Sequence, residues 1–262
     1  MRLTQPPAAE WNPQSTAPVP AGEGGDPAPV WSTYPPVSVP TALATTVGTS
    51  QLLPDGFARV GRAVQVLLGL CGAASLARMG FELWGTAALR TAAADDFSAL
   101  HRYGELGAYF SSGPAVLTAI TGLLWMAWQH RLAGAVPRRM LRRSPGWHVG
   151  SWFIPVVSLW FPYENMTDLH RAVTPEAAGR RSPLRYRLWW GMWLAGTVTQ
   201  WLTNAASQGE TNLGSMLAAS TAIGIGEACF AISAVCAILV VGDLTRRTVQ
   251  ARDDAVAESG LR

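Results

Sequence analysis

The chain has 262 residues, of which 49% are hydrophobic and only 14% charged, against roughly a quarter charged in ordinary globular proteins. All 20 basic residues are arginine and the formal net charge is +3. The arginines flank apolar runs instead of forming one soluble patch, which argues against a nucleic-acid surface and for membrane orientation.

Residues 1–56 hold eleven prolines among Ala, Gly, Ser and Thr. Such a segment cannot bury enough apolar surface to offset its ordering entropy, so a disordered, cytoplasmic tail is expected. No apolar stretch follows Arg2, so no signal peptide is expected either. A helical membrane domain is expected over 57–247, followed by a short cytoplasmic tail over 248–262. Within the domain, four apolar runs suit membrane spans: Ala63–Leu89, Ser112–His130, Leu188–Ala206 and Gly214–Gly242. Pro114 falls in the first turn of the second run, where a missing N–H is tolerated. Cys71, Cys229 and Cys236 lie inside these runs, without metal-ligand spacing or a disulfide framework. They read as buried free thiols acting as small hydrophobes.

Between the second and third runs lies PGWHVGSWFIPVVSLWFPYENMTDLHR, Pro145 to Arg171. Its apolar core, Trp147–Phe161, is short for a span and is interrupted by Pro155, which removes a helical hydrogen bond. If the stretch does not cross, 17 arginines lie on the cytoplasmic side and two, Arg90 and Arg102, outside; if it crosses, the split becomes 8 against 11. The positive-inside rule favours the first arrangement. Trp125, Trp128, Trp147, Trp160, Trp189, Trp190 and Trp193 then gather at the inner interface as an aromatic belt, with Trp84 and Trp201 near the outer one. Pro162 suits the first turn of an amphipathic helix with Glu164, Asp168 and Arg171 on one face and Met166, Leu169 and Val173 on the other. The fold expected is all-α: a polytopic membrane bundle of four spans, with a Pro-broken re-entrant or interfacial segment and both termini cytoplasmic.

The residues LLWMAWQHR and RRSPGWHVGSWFIPVVSLWFPYENMTDLHRA resemble the core of the bacterial membrane family catalogued as domain of unknown function 4328 (DUF4328). The resemblance rests on Trp125, on Pro145, Gly146 and Trp147 after Ser144, and on Trp152, Phe153 and Pro155. Trp160 with Pro162 and the Arg171–Ala172 pair complete it, and it covers roughly residues 60–245. Leu132, Ala133 and Ser158 depart from the pattern. The resemblance implies a membrane protein and brings no activity with it.

The charges inside the spans are the main candidate site. Arg78 and Glu82 share a face of the first span, four residues apart, and Glu227 lies at similar depth in the last. Charges in a bilayer cost about 2.5–3.5 kcal/mol each on insertion scales. The three either line a polar cavity for an ion, proton or solute, or form an interhelical ion pair that fixes packing. No further polar residue is evident on those faces, and whether Arg78 pairs with Glu82 or Glu227 stays open. Gly214, Ala218, Ala222 and Gly226 form a small-residue ridge for close helix approach, against the first span or a second copy. His130, His148 and His170 match no zinc or haem spacing, and Thr167, Asp168 and His170 lack the companions of a hydrolase triad. No cofactor, metal site or catalytic residue is expected. The basic inner loops should attract anionic lipid headgroups, and the N-terminal tail could meet a cytoplasmic protein. The function expected is a non-enzymatic scaffold or regulatory membrane protein; the alternative is a small transporter or channel built on Arg78, Glu82 and Glu227.

Overall fold

The computed structural model describes residues 56–92, 98–174, 182–206 and 212–260. The expected disordered tail lies outside these apart from Gly56, as do Arg180, Arg181 and Arg262. Every regular element among the described residues is helical: α1 (Phe57–Ala92), α2 (Ser98–Ala135), α3 (Pro145–Gly150), α4 (Phe161–Val173), α5 (Leu184–Ala206) and α6 (Leu213–Gly260), with single 3-10 turns at Arg138–Met140 and Val157–Leu159.

Local chemistry sets the boundaries. Gly56, at φ +89°, precedes α1 in a backbone region that favours glycine. Asn212 and Ser215 cap α6 reciprocally: the Ser215 N–H donates to Asn212 Oδ1 and the Asn212 N–H to Ser215 Oγ, both at 2.9 Å. This is the logic of a capping box. Pro145 and Pro162 occupy the first turns of α3 and α4, where proline removes no intrahelical bond. The expected C-terminal tail continues α6 as far as Gly260, because ARDDAVAES is rich in helix formers and contains no breaker.

Pro114 departs from expectation. It sits well inside α2, not in a first turn, because the helix already begins at Ser98. The Phe110 carbonyl, which Pro114 cannot satisfy, accepts a hydrogen bond from Arg78 Nη1 at 2.9 Å. A charged side chain on the neighbouring helix thereby fills the gap left by the proline.

Facing residues give the helix directions. Against α1, Cys71 meets Thr121, Arg78 meets Phe110 and Glu82 meets Tyr103 on α2, while Gly72 meets Ala234 and Glu82 meets Ser220 on α6. On α5, Arg185 meets Asp243 and Gln200 meets Glu227. The numbers run oppositely in each pair, so α1 is antiparallel to α2 and α6, and α5 is antiparallel to α6. The last turns of α2, the start of α5 and Asp243 therefore share one end of the bundle. The chain leaves the bundle after Ala135 and rejoins it at Leu184, both at that end. The Pro145–Arg171 stretch forms helices of six and thirteen residues, each far short of the ~20 needed to span.

Two of the described helices, α1 and α6, are long and apolar enough to cross a membrane. Only 11% of the apolar window of α1 is buried, which is not how the central helix of a water-soluble core behaves. The other two expected spans lie in α2 and α5, whose tryptophans, threonines and glutamines dilute their hydropathy.

The tryptophans are the second correction. Trp125, Trp128, Trp189 and Trp190 are not a perimeter belt but buried core at the α3–α4 end, with Trp128 fully enclosed. Trp125 stacks on Trp189 at 5.3 Å and Trp190 on Trp193 at 4.8 Å between ring centres. Three of these four interior indoles place their N–H on an acceptor: Trp128 donates to Thr245 Oγ1 at 3.1 Å, Trp125 to Gln129 Oε1 at 3.2 Å and Trp190 to the Leu159 carbonyl at 3.1 Å. Trp147, Trp160 and Trp201 are exposed. The small-residue ridge also lands elsewhere than on the first span: Gly226 packs against Thr199 and the Gly196 carbonyl of α5, while Gly214 and Ala218 are exposed. Of the thiols, Cys236 is buried, and Cys71 and Cys229 are half-buried.

Candidate functional site

Arg78, Glu82 and Glu227 come together. The Arg78 Nε lies 3.3 Å from Glu227 Oε1 and 3.9 Å from Glu82 Oε1, so the arginine pairs with both carboxylates and Glu227 is the nearer. Glu82 is 4% exposed and Glu227 6%. Their faces are far from bare. Tyr103 on α2 and Ser220 on α6 each donate a hydroxyl to Glu82 Oε2, at 2.8 and 2.7 Å. Gln200 on α5 donates to Glu227 Oε1 at 3.4 Å, and Ser75 also hydrogen-bonds Glu227. Sequence reasoning missed these four partners because most come from other helices, and a single-helix face does not display them. With the Phe110 carbonyl holding Arg78, all four long helices contribute to one charged cluster.

The second constellation is the α3–α4 segment. The polar face of α4 is not solvated as an amphipathic reading expects: Asn165, Thr167, Asp168 and His170 are buried together with Met166 and Leu169. The loop before α3 folds over that face. Arg143 Nη2 lies 2.5 Å from Glu164 Oε2, with its guanidinium 3.4 Å above the centre of the Phe161 ring, and Arg142 Nε lies 3.4 Å from Asp168. Asn165 donates to the Trp147 carbonyl and to Ser151 Oγ. Trp152 stands edge-on to Trp190 and Trp193 and donates to Gln129 Oε1 at 3.4 Å. Between the two helices the chain turns outward through Phe153, Ile154, Pro155, Val156, Leu159 and Trp160, all exposed. The motif residues thus divide: Pro145, Gly146, Trp152 and Pro162 build the turn and its anchor, while Phe153, Pro155 and Trp160 form its apolar tip, with exposed Trp147 packed edge-on against Phe161.

Burial shapes the titration of this end. His148 is almost wholly enclosed and its imidazole is pushed down to about 4, by burial first and then by Arg143, His130 and Arg138. Burial lowers His170 as well, against the opposing pull of Asp243, and raises the Asp168 carboxyl against three arginines. Asp243, the residue after the last apolar run, is a buried hub. Arg185 Nη2 lies 2.6 Å away, Arg247 Nε 3.0 Å, Arg246 Nη2 3.3 Å and His170 Nδ1 4.0 Å, joining α4, α5 and α6. Its one visible signal was the pair Arg246 and Arg247 three and four residues onward.

Among the described residues no three His, Cys, Asp or Glu side chains group as a metal site. Thr167 donates to the Tyr163 carbonyl of its own helix, and His130 faces the Pro145 carbonyl. These features define an all-helical protein with two membrane-competent helices, a buried charged cluster and an ion-paired cap at one end. The chain belongs to the family described as Domain of unknown function (DUF4328), whose model matches residues 85–246. The match begins after Arg78 and Glu82, later than the resemblance suggested, and takes in the α3–α4 cap, Glu227 and Asp243. No curated protein and no solved structure matches the chain.

Proposed function

We propose that this chain is a multi-pass membrane protein in which α1, α2, α5 and α6 cross the bilayer. The α3–α4 cap lies at the cytoplasmic face beside both termini, and the protein serves as a non-enzymatic scaffold or regulatory component. The observation that carries this is the exposed aliphatic surface shared by all four long helices. It comprises Val66, Leu70 and Leu76 on α1, Val116, Ile120 and Leu123 on α2, Val198 and Leu202 on α5, and Ile225, Ile232 and Leu239 on α6. Apolar surface of that extent on a water-soluble monomer would be a liability; in lipid it is the solvated face. Arg131, Arg138, Arg139 and Arg187 remain exposed at the cap end, while Arg142, Arg143 and Arg185 are ion-paired. The exposed four suit anionic headgroups, each worth about 1 kcal/mol near the surface, and the apolar tip suits insertion into the same leaflet. The N-terminal tail is left to engage a cytoplasmic protein. Topology reporters placed after Glu176 and within 131–146 test the arrangement: both should report the same, cytoplasmic side, and opposite sides would refute it.

A second reading, a small transporter or channel, is favoured by one observation: side chains from four helices converge on Arg78, Glu82 and Glu227. Reconstituted vesicles that carry solute or protons only when Glu227 is intact would select it over the first.

A further inference from the structure

The charged cluster does not balance. Within it, one guanidinium faces two carboxylates, and both carboxylates approach the same Arg78 Nε, while Nη1 is committed to the Phe110 carbonyl. The remaining neighbours are neutral: Ser75 on α1, Tyr103 on α2, Gln200 on α5 and Ser220 on α6. No other titratable or charged group reaches the pair through a described contact from the helices packed around it. With both carboxylates ionised the cluster would carry a net negative charge inside the bilayer, where an uncompensated charge is strongly disfavoured. Two carboxylates competing for one cation at close range do not both ionise easily.

We propose that Glu82 and Glu227 together hold one exchangeable proton at neutral pH, which makes the cluster a buried proton-binding site. A metal cation fits poorly, because Arg78 stands between the two carboxylates and repels it. A proton needs only one carboxylate oxygen turned away from the guanidinium. The proton belongs to the pair, not to either residue, as in other tightly coupled carboxylates. On alkalinisation it leaves to bulk water, and Arg78 then faces two anions. The hydroxyls of Tyr103 and Ser220 both donate to one carboxylate oxygen of the pair, and hydrogen bonds made to the charged form compete with the shared proton. This deepens the second reading above, and it rests on the bundle lying in a bilayer.

Infrared difference spectroscopy of the full chain in lipid nanodiscs, titrated upward from neutral pH, tests it. One protonated-carboxyl C=O band should be present at pH 7 and vanish in alkali. Either E82Q or E227Q should abolish it, because a single carboxylate paired with Arg78 stays ionised. S220A and Y103F should retain the band and move its disappearance to higher pH, since each removes a donor to the carboxylate. Absence of the band in the wild-type chain at pH 7, or its survival in both glutamine variants, would overturn the proposal. If the glutamine variants do not fold, the wild-type band and the direction of its shift in S220A decide the matter. A chain that purifies as a soluble monomer without detergent would refute the membrane reading separately, and its band would still be read.

Discussion

Trp128 on α2 meets Thr245 on α6 at the cap end, and the indole is fully enclosed with its N–H bonded to the threonine hydroxyl. Removing a buried indole leaves a large void, and such truncations cost about 3–5 kcal/mol. W128A is therefore expected to lower the thermal midpoint sharply in detergent, whereas W128F, which keeps most of the volume but leaves Thr245 without its donor, should cost about 1–3 kcal/mol. Equal effects would mean that the hydrogen bond, and not the packing, dominates there. His148 gives a pH-dependent counterpart. Its pKa falls from an ordinary 6.5 to about 4 on folding, so between those values the unfolded chain binds more protons than the folded one. The stability from neutral His148 is complete above about pH 6.5 and is lost as pH drops toward 4. His170 acts in the same direction; Asp168, whose carboxyl is raised, acts in the opposite one. H148Q should lose less thermal stability than wild type between pH 6.5 and pH 4, and an unchanged loss would remove His148 as its source.

At the scale of elements, two joints hold the bundle in ways that helix propensity does not reveal. Pro114 frees the Phe110 carbonyl and Arg78 takes it, so the proline in one helix and the charge on its neighbour act as a unit. P114A returns an N–H to that carbonyl and competes with Arg78. A double-mutant cycle of P114A with R78M should therefore give a coupling of about 0.5–3 kcal/mol, the range found for residues sharing one network. Additive effects would show that the two are independent. Asp243 binds α5 to α6, and D243N leaves Arg185 and Arg247, each about one-third exposed, without their counter-charge, a loss of about 1.5–3 kcal/mol for hydrogen bonds to a charged group. Hydrogen exchange should accelerate first in the opening turns of α5, where Arg185 is held, and uniform acceleration would place the hub elsewhere. Long apolar runs and proline positions made α1, α6 and an interruption around Pro155 legible in advance, while the helix end at Gly150 came only with the structure. The direction in which a tryptophan points was not, because lipid and protein interior are both apolar and composition cannot separate them. Partnerships such as Glu82 with Ser220 and Arg185 with Asp243 were hidden for a related reason. They join helices far apart in sequence, and periodicity reports only faces within one helix.

For the molecule as a whole, direction is the deciding property. The cap leaves and rejoins the bundle at one end, so its apolar tip has to lie either in the leaflet at that end or in water above it. Phe153 and Val156 are 69% and 64% exposed, and they precede α4, whose polar side is already engaged by Arg142, Arg143 and Asp243. Among the described residues nothing covers the tip, and leaving several large apolar side chains in water is unfavourable by about 25 cal/mol per Å2. The exposed arginines nearby are positioned like the flanking charges of an interfacial segment, with headgroups as their counter-ions. A polarity-sensitive fluorophore attached at F153C, in a chain whose native cysteines are replaced by alanine, should report an apolar environment in nanodiscs. It should respond to a quencher carried on lipid tails and not to one dissolved in water. The same label at Arg139, on the loop side of the cap, should do the reverse. Were both positions quenched from water, the tip would stand clear of the bilayer and the cap would be a docking surface for protein instead of lipid.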